Sequence, residues 1–135
     1  MAKLFIYCDG GARGNPGPAA IGVVIRDEHN KLVETIAKKI GSATNNVAEY
    51  SAVIAALDWV LDFAEDMELE FYLDSELVVR QLNGEYKVKD LKLKELFLTV
   101  REKTTSLGRE PIFSHISRKK NSEADKLVNQ ALDSE

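Results

Sequence analysis

The sequence is poor in cysteine, in long apolar runs and in positive charge, and the first two shortages each exclude a class of protein. Cys8 is its one cysteine, so no intramolecular disulfide can form and a disulfide-stapled secreted domain is excluded. No apolar stretch approaches the roughly 20 residues that cross a bilayer, and the amino terminus lacks the pattern of a secretory signal. We therefore expect a cytoplasmic protein with no membrane partner.

Basic residues are outnumbered, since 18 lysines and arginines face 22 acids and the formal net charge is −4. A negative balance argues mildly against binding to nucleic acid. The objection weakens if several acids hold divalent cations, because bound cations reverse the local sign of the field. A hydrophobic content of 44% is ordinary for a globular protein and excludes a disordered chain. We expect a single domain over residues 1–135, and a monomer.

The first third of the chain has the composition of strands and turns. Three strands are predicted at residues 3–8, 20–26 and 32–40. Residues 9–18 between the first two are rich in glycine and proline, which predicts a loop. A polar hairpin at residues 28–31 joins the second strand to the third.

From residue 47 onwards the pattern becomes one of alternating helices and strands. Helices are predicted at residues 47–64, 75–82, 91–107 and 122–132, and strands at 69–73 and 111–116. Intervening helices make the later strands parallel to the first. The predicted fold is therefore α/β, a mixed five-stranded sheet with three antiparallel strands and then two parallel to the first, flanked by helices.

Four acids stand where such a sheet would place its functional crevice. Asp9 and Asp74 each follow a predicted parallel strand, and the carboxyl ends of parallel strands share one edge. Glu49 and Asp125 fall in the first turns of two helices that can lean toward that edge. Magnesium prefers oxygen ligands, and a pair of such cations can neutralise a phosphoryl group and activate water. The pattern favours metal-dependent hydrolysis of a phosphodiester.

The residues around these acids resemble those of the ribonuclease H type one family. The shared motifs are YCDGG at residues 7–11, GNPGP at 14–18, TNNVAEY at 44–50, LDS at 73–75 and NSEAD at 121–125. They follow the family's order over nearly the whole chain. The resemblance implies a ribonuclease H-like fold and an endonuclease that cuts the RNA strand of RNA/DNA hybrids, leaving 5′-phosphate and 3′-hydroxyl ends. It also implies a two-metal mechanism with Mg²⁺, or Mn²⁺ as a substitute.

The resemblance assigns roles to nine residues. The catalytic and metal-binding carboxylates would be Asp9, Glu49, Asp74 and Asp125, with Asp9 bridging two ions. Contacts to the minor groove and its 2′-hydroxyls would fall to Gly11, Asn15, Asn45 and Asn46. His115 precedes Asp125 by the spacing of a family histidine thought to help product leave, although it lies in a predicted strand.

The chain departs from some relatives between its second and third predicted helices. Residues 84–90 are too few for the extra basic helix with which those relatives hold the hybrid, so we expect a compact variant without that protrusion. Two groups of cations are candidates for phosphate contacts instead, namely Lys87, Lys89, Lys92 and Lys94, and Arg118, Lys119 and Lys120. Binding should then be modest and steeply dependent on salt.

Each acid also has a purely structural interpretation. Asp9 before two glycines fits a turn, Asn46 and Glu49 have the spacing of a capping box, and Asp74 and Asp125 suit the starts of helices. The four acids together, in the family's order, favour catalysis. Two other functions stay open, a non-catalytic module that binds hybrids or proteins and a DNA nuclease of the same superfold.

Overall fold

Five strands form one mixed sheet in the computed structural model, which describes residues 2–134. The strands are β1 (Lys3–Ala12), β2 (Gly17–Asp27), β3 (Leu32–Ala43), β4 (Glu68–Leu73) and β5 (Ile112–His115). Their order across the sheet is β3-β2-β1-β4-β5. Strand β2 is antiparallel to β1 and β3, whereas β4 is parallel to β1 and β5. The predicted sheet is confirmed.

Helices cover both faces of this sheet. They are α1 (Asn45–Phe63), α2 (Glu76–Leu82), α3 (Leu91–Leu107) and α4 (Ser122–Asp133), and a 3₁₀ turn at Arg118–Asn121 precedes α4. Helices α1 and α3 pack together, with α1 against β1, and α4 packs against β2 on the other face. Among residues 2–134, none of these helices combines the length and apolar composition needed to cross a membrane.

The main core lies between the sheet and helices α1 and α3. Alternate residues of a strand point to opposite faces, so Ile6 and Cys8 are buried against α1 with Val53 and Leu57 of that helix. Tyr7 lies on the opposite face and is only half-buried. Helix α4 covers part of that second face, where an added Cβ at Gly22 would lie 2.3 Å from the backbone oxygen of Ala124.

Strand β1 extends further than the sequence predicts. Its antiparallel pairing with β2 continues to Ala12, so the loop predicted at residues 9–18 shrinks to a bend at residues 13–16. The predicted loop was too long because glycine occurs not only in turns but also inside strands, where the absence of a side chain lets two backbones approach closely. A Cβ at Gly10 would lie 2.2 Å from the backbone carbon of Ala48 in α1. Asp9 therefore lies inside a strand rather than after it.

Candidate active site

Three acids from different elements converge at one edge of the sheet. Asp9 of β1, Glu49 of α1 and Asp74 after β4 each place a carboxylate oxygen within 4.8 Å of the others. The parallel pairing of β1 with β4 ends at Cys8 and Leu73. Asp9 directly follows Cys8, and Asp74 directly follows Leu73. The two aspartates therefore lie side by side at the same edge of the sheet, which explains why their side chains meet.

These acids line a cleft of about 460 Å³. Its walls are the glycine-rich end of β1, the start of α1, the 3₁₀ turn and one side of α4. Seven of the nine residues to which the resemblance assigns roles line it, namely Asp9, Gly11, Asn45, Asn46, Glu49, Asp74 and Asp125. Asn15 and His115 are described in the structure but are not part of this lining.

Glu49 is held by the backbone of β1 rather than by its own helix. Its Oε1 accepts a hydrogen bond of 2.8 Å from the amide of Gly10, and the residue is 4% exposed. The capping-box interpretation was wrong, because Thr44 caps α1 by accepting from the amide of Val47 at 3.2 Å. Among the described residues, Oε2 of Glu49 is buried without a hydrogen-bond partner. A buried oxygen without a donor suits a cation.

Asp74 is held by Asn121, a buried asparagine for which the sequence predicted no role. The Asn121 amide nitrogen donates to Asp74 Oδ2 at 3.1 Å and to the backbone oxygen of Cys8 at 2.8 Å. These bonds tie the entry of α4 to β1 and to the end of β4. At the start of α2 the capping side chain is Ser75, which accepts from the amide of Val78 at 3.4 Å.

Asp125 reaches the cleft from the first turn of α4 but lies outside the tight trio. It is exposed, and the Asn129 amide one turn later donates to its Oδ2 at 3.5 Å and to its backbone oxygen at 3.1 Å. Arg13, in the bend after β1, donates to Asn129 at 3.5 Å and pairs with Asp133 at 2.7 Å. The bend and α4 are thus joined beside the fourth acid.

Burial and mutual repulsion raise the pKa values of two of these acids, Asp9 and Glu49. Burial, together with the charges of Asp74 and Asp125, raises the pKa of Asp9 to about 7. Burial and the neighbouring Asp9 likewise raise the pKa of Glu49 well above its ordinary value. A divalent cation would relieve this repulsion, and a set of donors made only of oxygen fits a hard cation such as Mg²⁺. The residues present therefore fit a metal site.

Asn45 lines the cleft, and Asn15 lies behind it and contacts its backbone. Asn15 Oδ1 accepts from the amide of Asn45 at 2.9 Å, and Asn45 Oδ1 accepts from the amide of Ala12 at 2.9 Å. The peptide bond between Asn15 and Pro16 is cis. Within residues 2–134 the side-chain amide nitrogens of these two asparagines make no hydrogen bond. Their N–H groups remain as donors beside the cleft.

The candidate phosphate-binding cations fall into two groups. Arg118 lines the cleft together with Asp74 and Ser75. The first group is exposed on the connection between α2 and α3 and on the first turn of α3, outside the cleft lining, and comprises Lys87, Lys89, Lys92 and Lys94. That connection contains no helix over residues 83–90, so the predicted absence of a basic protrusion is confirmed. His115 is exposed at the end of β5, paired with Leu73.

Comparison with known proteins gives consistent matches. Residues 7–131 match the family model described as reverse transcriptase-like. LC11-RNase H1, isolated from compost and solved in complex with an RNA/DNA hybrid, is 50% identical, with 96% of each chain covered and a TM-score of 0.93. The RNase H1 structure from the archaeon Halobacterium salinarum is 42% identical over 97% of this chain and 98% of that one, with a TM-score of 0.90.

Curated sequences extend these likenesses. Ribonuclease H of Clostridium botulinum is 32% identical, with 98% of this chain and 97% of that protein covered. This chain spans 65% of the length of the Ribonuclease HI of Halobacterium salinarum, to which it is 42% identical. It spans 36% of the bifunctional protein Rv2228c of Mycobacterium tuberculosis, to which it is 39% identical. The matched region is therefore less than two thirds of some of these relatives.

Proposed function

Because this chain belongs to the reverse transcriptase-like family, and within it to the ribonucleases H of type one, we propose that it is an endonuclease that hydrolyses the RNA strand of RNA/DNA hybrids. One observation carries the proposal. Three carboxylates from separate elements converge within 4.8 Å in an open cleft, which suits metal-dependent phosphodiester hydrolysis. The complex of LC11-RNase H1 with a hybrid supports this choice of substrate.

The proposed metal ligands are Asp9, Glu49, Asp74 and Asp125, which would hold two Mg²⁺ ions, or Mn²⁺ in their place. When bound, such ions neutralise charge on the transferred phosphoryl group and lower the pKa of a water molecule. The unpartnered Oε2 of Glu49 and the pKa of about 7 at Asp9 support this assignment. Asp9 must lose its proton to act as a ligand, so protons and metal compete for it.

Residues in and beside the cleft would position the substrate. The N–H groups of Asn15, Asn45 and Asn46 would donate to 2′-hydroxyls in the minor groove, and Gly11 would let the RNA backbone approach β1 closely. Asn121 would keep Asp74 in place while the phosphate binds. Arg118, which also lines the cleft, would contact a phosphate. Attack by water in line with the 3′ oxygen would leave 5′-phosphate and 3′-hydroxyl ends.

The proposal also covers the role of His115, the oligomeric state and the compartment. His115 lies outside its lining, which restricts it to the accessory role in product release that the resemblance implies. We also propose that the protein acts as a monomer. We place the reaction in the cytoplasm, because the single cysteine fits a reducing compartment.

The test is a substrate panel with the wild-type chain. An end-labelled RNA/DNA hybrid, the matching duplex DNA and the single-stranded RNA are incubated with Mg²⁺ or with a chelator. We expect cleavage of the hybrid alone, abolished by the chelator, with 3′ ends that a DNA polymerase can extend. Cleavage of duplex DNA would instead identify a DNA nuclease of the same superfold. Absence of cleavage with both Mg²⁺ and Mn²⁺ would favour a non-catalytic module.

A further inference from the structure

Three aromatic rings form a row on the face of the sheet that α4 only partly covers. Tyr7 and Tyr72 stack with ring centroids 5.1 Å apart and 24° between planes. Phe5 and Tyr72 stack at 6.4 Å and 16°. Tyr72 therefore stands between the other two rings, and Tyr7 is one end of the row. All three rings are half-buried.

The row ends at a small cavity, which we call the Tyr7 slot. Its volume is about 210 Å³, and its lining includes Tyr7, Arg26, Asn30, Lys120, Asn121 and Glu123. None of these residues lines the catalytic cleft. Tyr7 precedes Asp9 by two residues on β1, so both side chains lie on the same face of the sheet. The slot is a neighbour of the cleft rather than part of it.

Asn121, which lines the slot, carries a hydrogen-bond acceptor that no described residue satisfies. The residue is 1% exposed, and its Oδ1 is buried without a partner. The amide cannot be reversed, because its nitrogen already donates to two acceptors, Cys8 and Asp74. A ligand that brings an N–H or O–H group to Asn121 Oδ1 would satisfy this oxygen.

The charges around the slot restrict the class of ligand. Arg26 is occupied by Glu123 at 2.8 Å and by the backbone oxygen of Asn30 at 3.1 Å. Lys120 makes no ion pair with any residue from 2 to 134, which leaves one free cation at the slot. The positive charges of Arg26 and Lys120 disfavour a positively charged amine as the ligand. A simple anion without an N–H or O–H group is also disfavoured, because it would leave Asn121 Oδ1 without a donor.

The slot calls for a ligand with a flat ring that stacks on Tyr7, a donor for Asn121 Oδ1 and a negative charge for Lys120. A nucleotide has all three, and we propose that the Tyr7 slot binds one unpaired nucleobase of a nucleic acid strand. The base extends the aromatic row by stacking on Tyr7, as bases do on exposed aromatic side chains of other sheets. An N–H group of the base donates to Asn121 Oδ1, and the attached phosphate contacts Lys120. Since this binding requires neither metal nor cleavage, it goes beyond the proposed catalytic function.

The test measures binding directly, in a chelator, with isotope-labelled protein followed by amide chemical shifts. The probe is deoxycytidine 5′-monophosphate, and deoxyribose 5-phosphate is the matched probe without a base. We expect saturable shifts at residues 7, 26, 30 and 120–123 with the nucleotide only. Tyr7→Leu should weaken binding about tenfold or more, because one stacking partner is lost. Lys120→Ala should weaken it severalfold.

The control variant is Phe63→Leu, which removes an aromatic ring that is 72% exposed at the end of α1, outside the slot. It should bind the nucleotide as the wild type does. Shifts confined to the cleft residues, shifts that do not saturate, or equal shifts with deoxyribose 5-phosphate would each overturn the proposal. If Tyr7→Leu does not fold, Lys120→Ala and the two probes still decide. Cleavage is not measured, so this outcome is independent of the proposed function.

Discussion

Glu49 and Gly10 are joined by a hydrogen bond of 2.8 Å that fixes a buried carboxylate of α1 to the backbone of β1. The contact depends on the absence of a side chain at residue 10. An added Cβ would lie 2.2 Å from the backbone carbon of Ala48 and 2.5 Å from the amide nitrogen of Glu49 itself. The geometry of the metal site therefore depends on a glycine inside a strand.

Gly10→Ala should destabilise the protein far more than the neighbouring substitution Gly11→Ala. A Cβ at residue 11 meets its nearest atom, Val128 Cγ1, at 3.6 Å, which is an ordinary contact. We expect a loss of about 3 kcal/mol or more in the free energy of unfolding for Gly10→Ala and about 1 kcal/mol or less for Gly11→Ala. Urea denaturation in a chelator measures both, and equal losses would contradict this account.

Asp9→Asn should stabilise the metal-free protein at high pH. The pKa of Asp9 is raised to about 7, whereas an unfolded chain has an aspartate pKa of about 3.9. Folding therefore disfavours the ionised form of the Asp9 carboxyl. Its contribution to the free energy of unfolding is complete below pH of about 4, where it is protonated in both states, and is lost as the pH rises through about 7.

Melting temperatures in a chelator check this prediction. That of the wild type should fall relative to that of Asp9→Asn between pH of about 4 and about 7, and added Mg²⁺ at pH of about 8 should raise only the wild-type value. Parallel curves for the two proteins would show that Asp9 titrates like an exposed aspartate.

Asn121→Ala should lower kcat with little change in KM. The substitution removes the amide that holds Asp74, and it leaves the binding surface of the cleft intact. We expect kcat to fall about tenfold to a hundredfold, because small misplacements of catalytic groups have effects of this size. Steady-state kinetics on a hybrid measure the change.

A matched asparagine separates positioning from a general loss of stability. Asn83 also uses its side-chain amide to bond a backbone oxygen, that of Phe113, at 3.1 Å. Asn83→Ala should therefore lose some stability and keep its kcat. A fall in kcat that is equal in the two variants would remove the positioning role from Asn121.

Arg118→Ala should weaken hybrid binding and flatten its dependence on salt. Arg118 lines the cleft, whereas the adjacent Lys119 is exposed outside it. Loss of one phosphate contact should reduce the slope of log affinity against log salt by about one. Fluorescence anisotropy in a chelator gives both slopes, and Lys119→Ala should keep the wild-type slope. Identical slopes for all three proteins would exclude a phosphate contact at Arg118.

The order of strands and helices could be predicted from the sequence because hydrophobic periodicity is a local property. The extent of β1 could not. Gly10 was interpreted as a turn former, and only the packing of Ala48 against it explains why a glycine is required in the strand. The predicted loop was therefore too long.

In the site too, residues within local motifs could be predicted, whereas contacts between distant parts of the chain could not. The convergence of Asp9, Glu49 and Asp74 could be predicted because each belongs to a recognisable motif that reaches one edge of the sheet. Asn121 was not assigned because its bond to Cys8 spans 113 residues, a contact that no local pattern contains. The cap of α1 was misplaced because several polar residues precede the helix, and Thr44 rather than Asn46 accepts the hydrogen bond.

The most direct test of the central claim compares two aspartate substitutions in the same cleavage assay. Asp74→Asn removes one carboxylate of the trio, whereas Asp62→Asn alters an exposed acid near the end of α1 that makes no ion pair with any described residue. With Mg²⁺ and an end-labelled RNA/DNA hybrid, we predict that Asp74→Asn cuts at least about a hundredfold more slowly than the wild type. Asp62→Asn should stay within about twofold of the wild type. Cleavage by Asp74→Asn at the wild-type rate would contradict a catalytic metal site at these carboxylates.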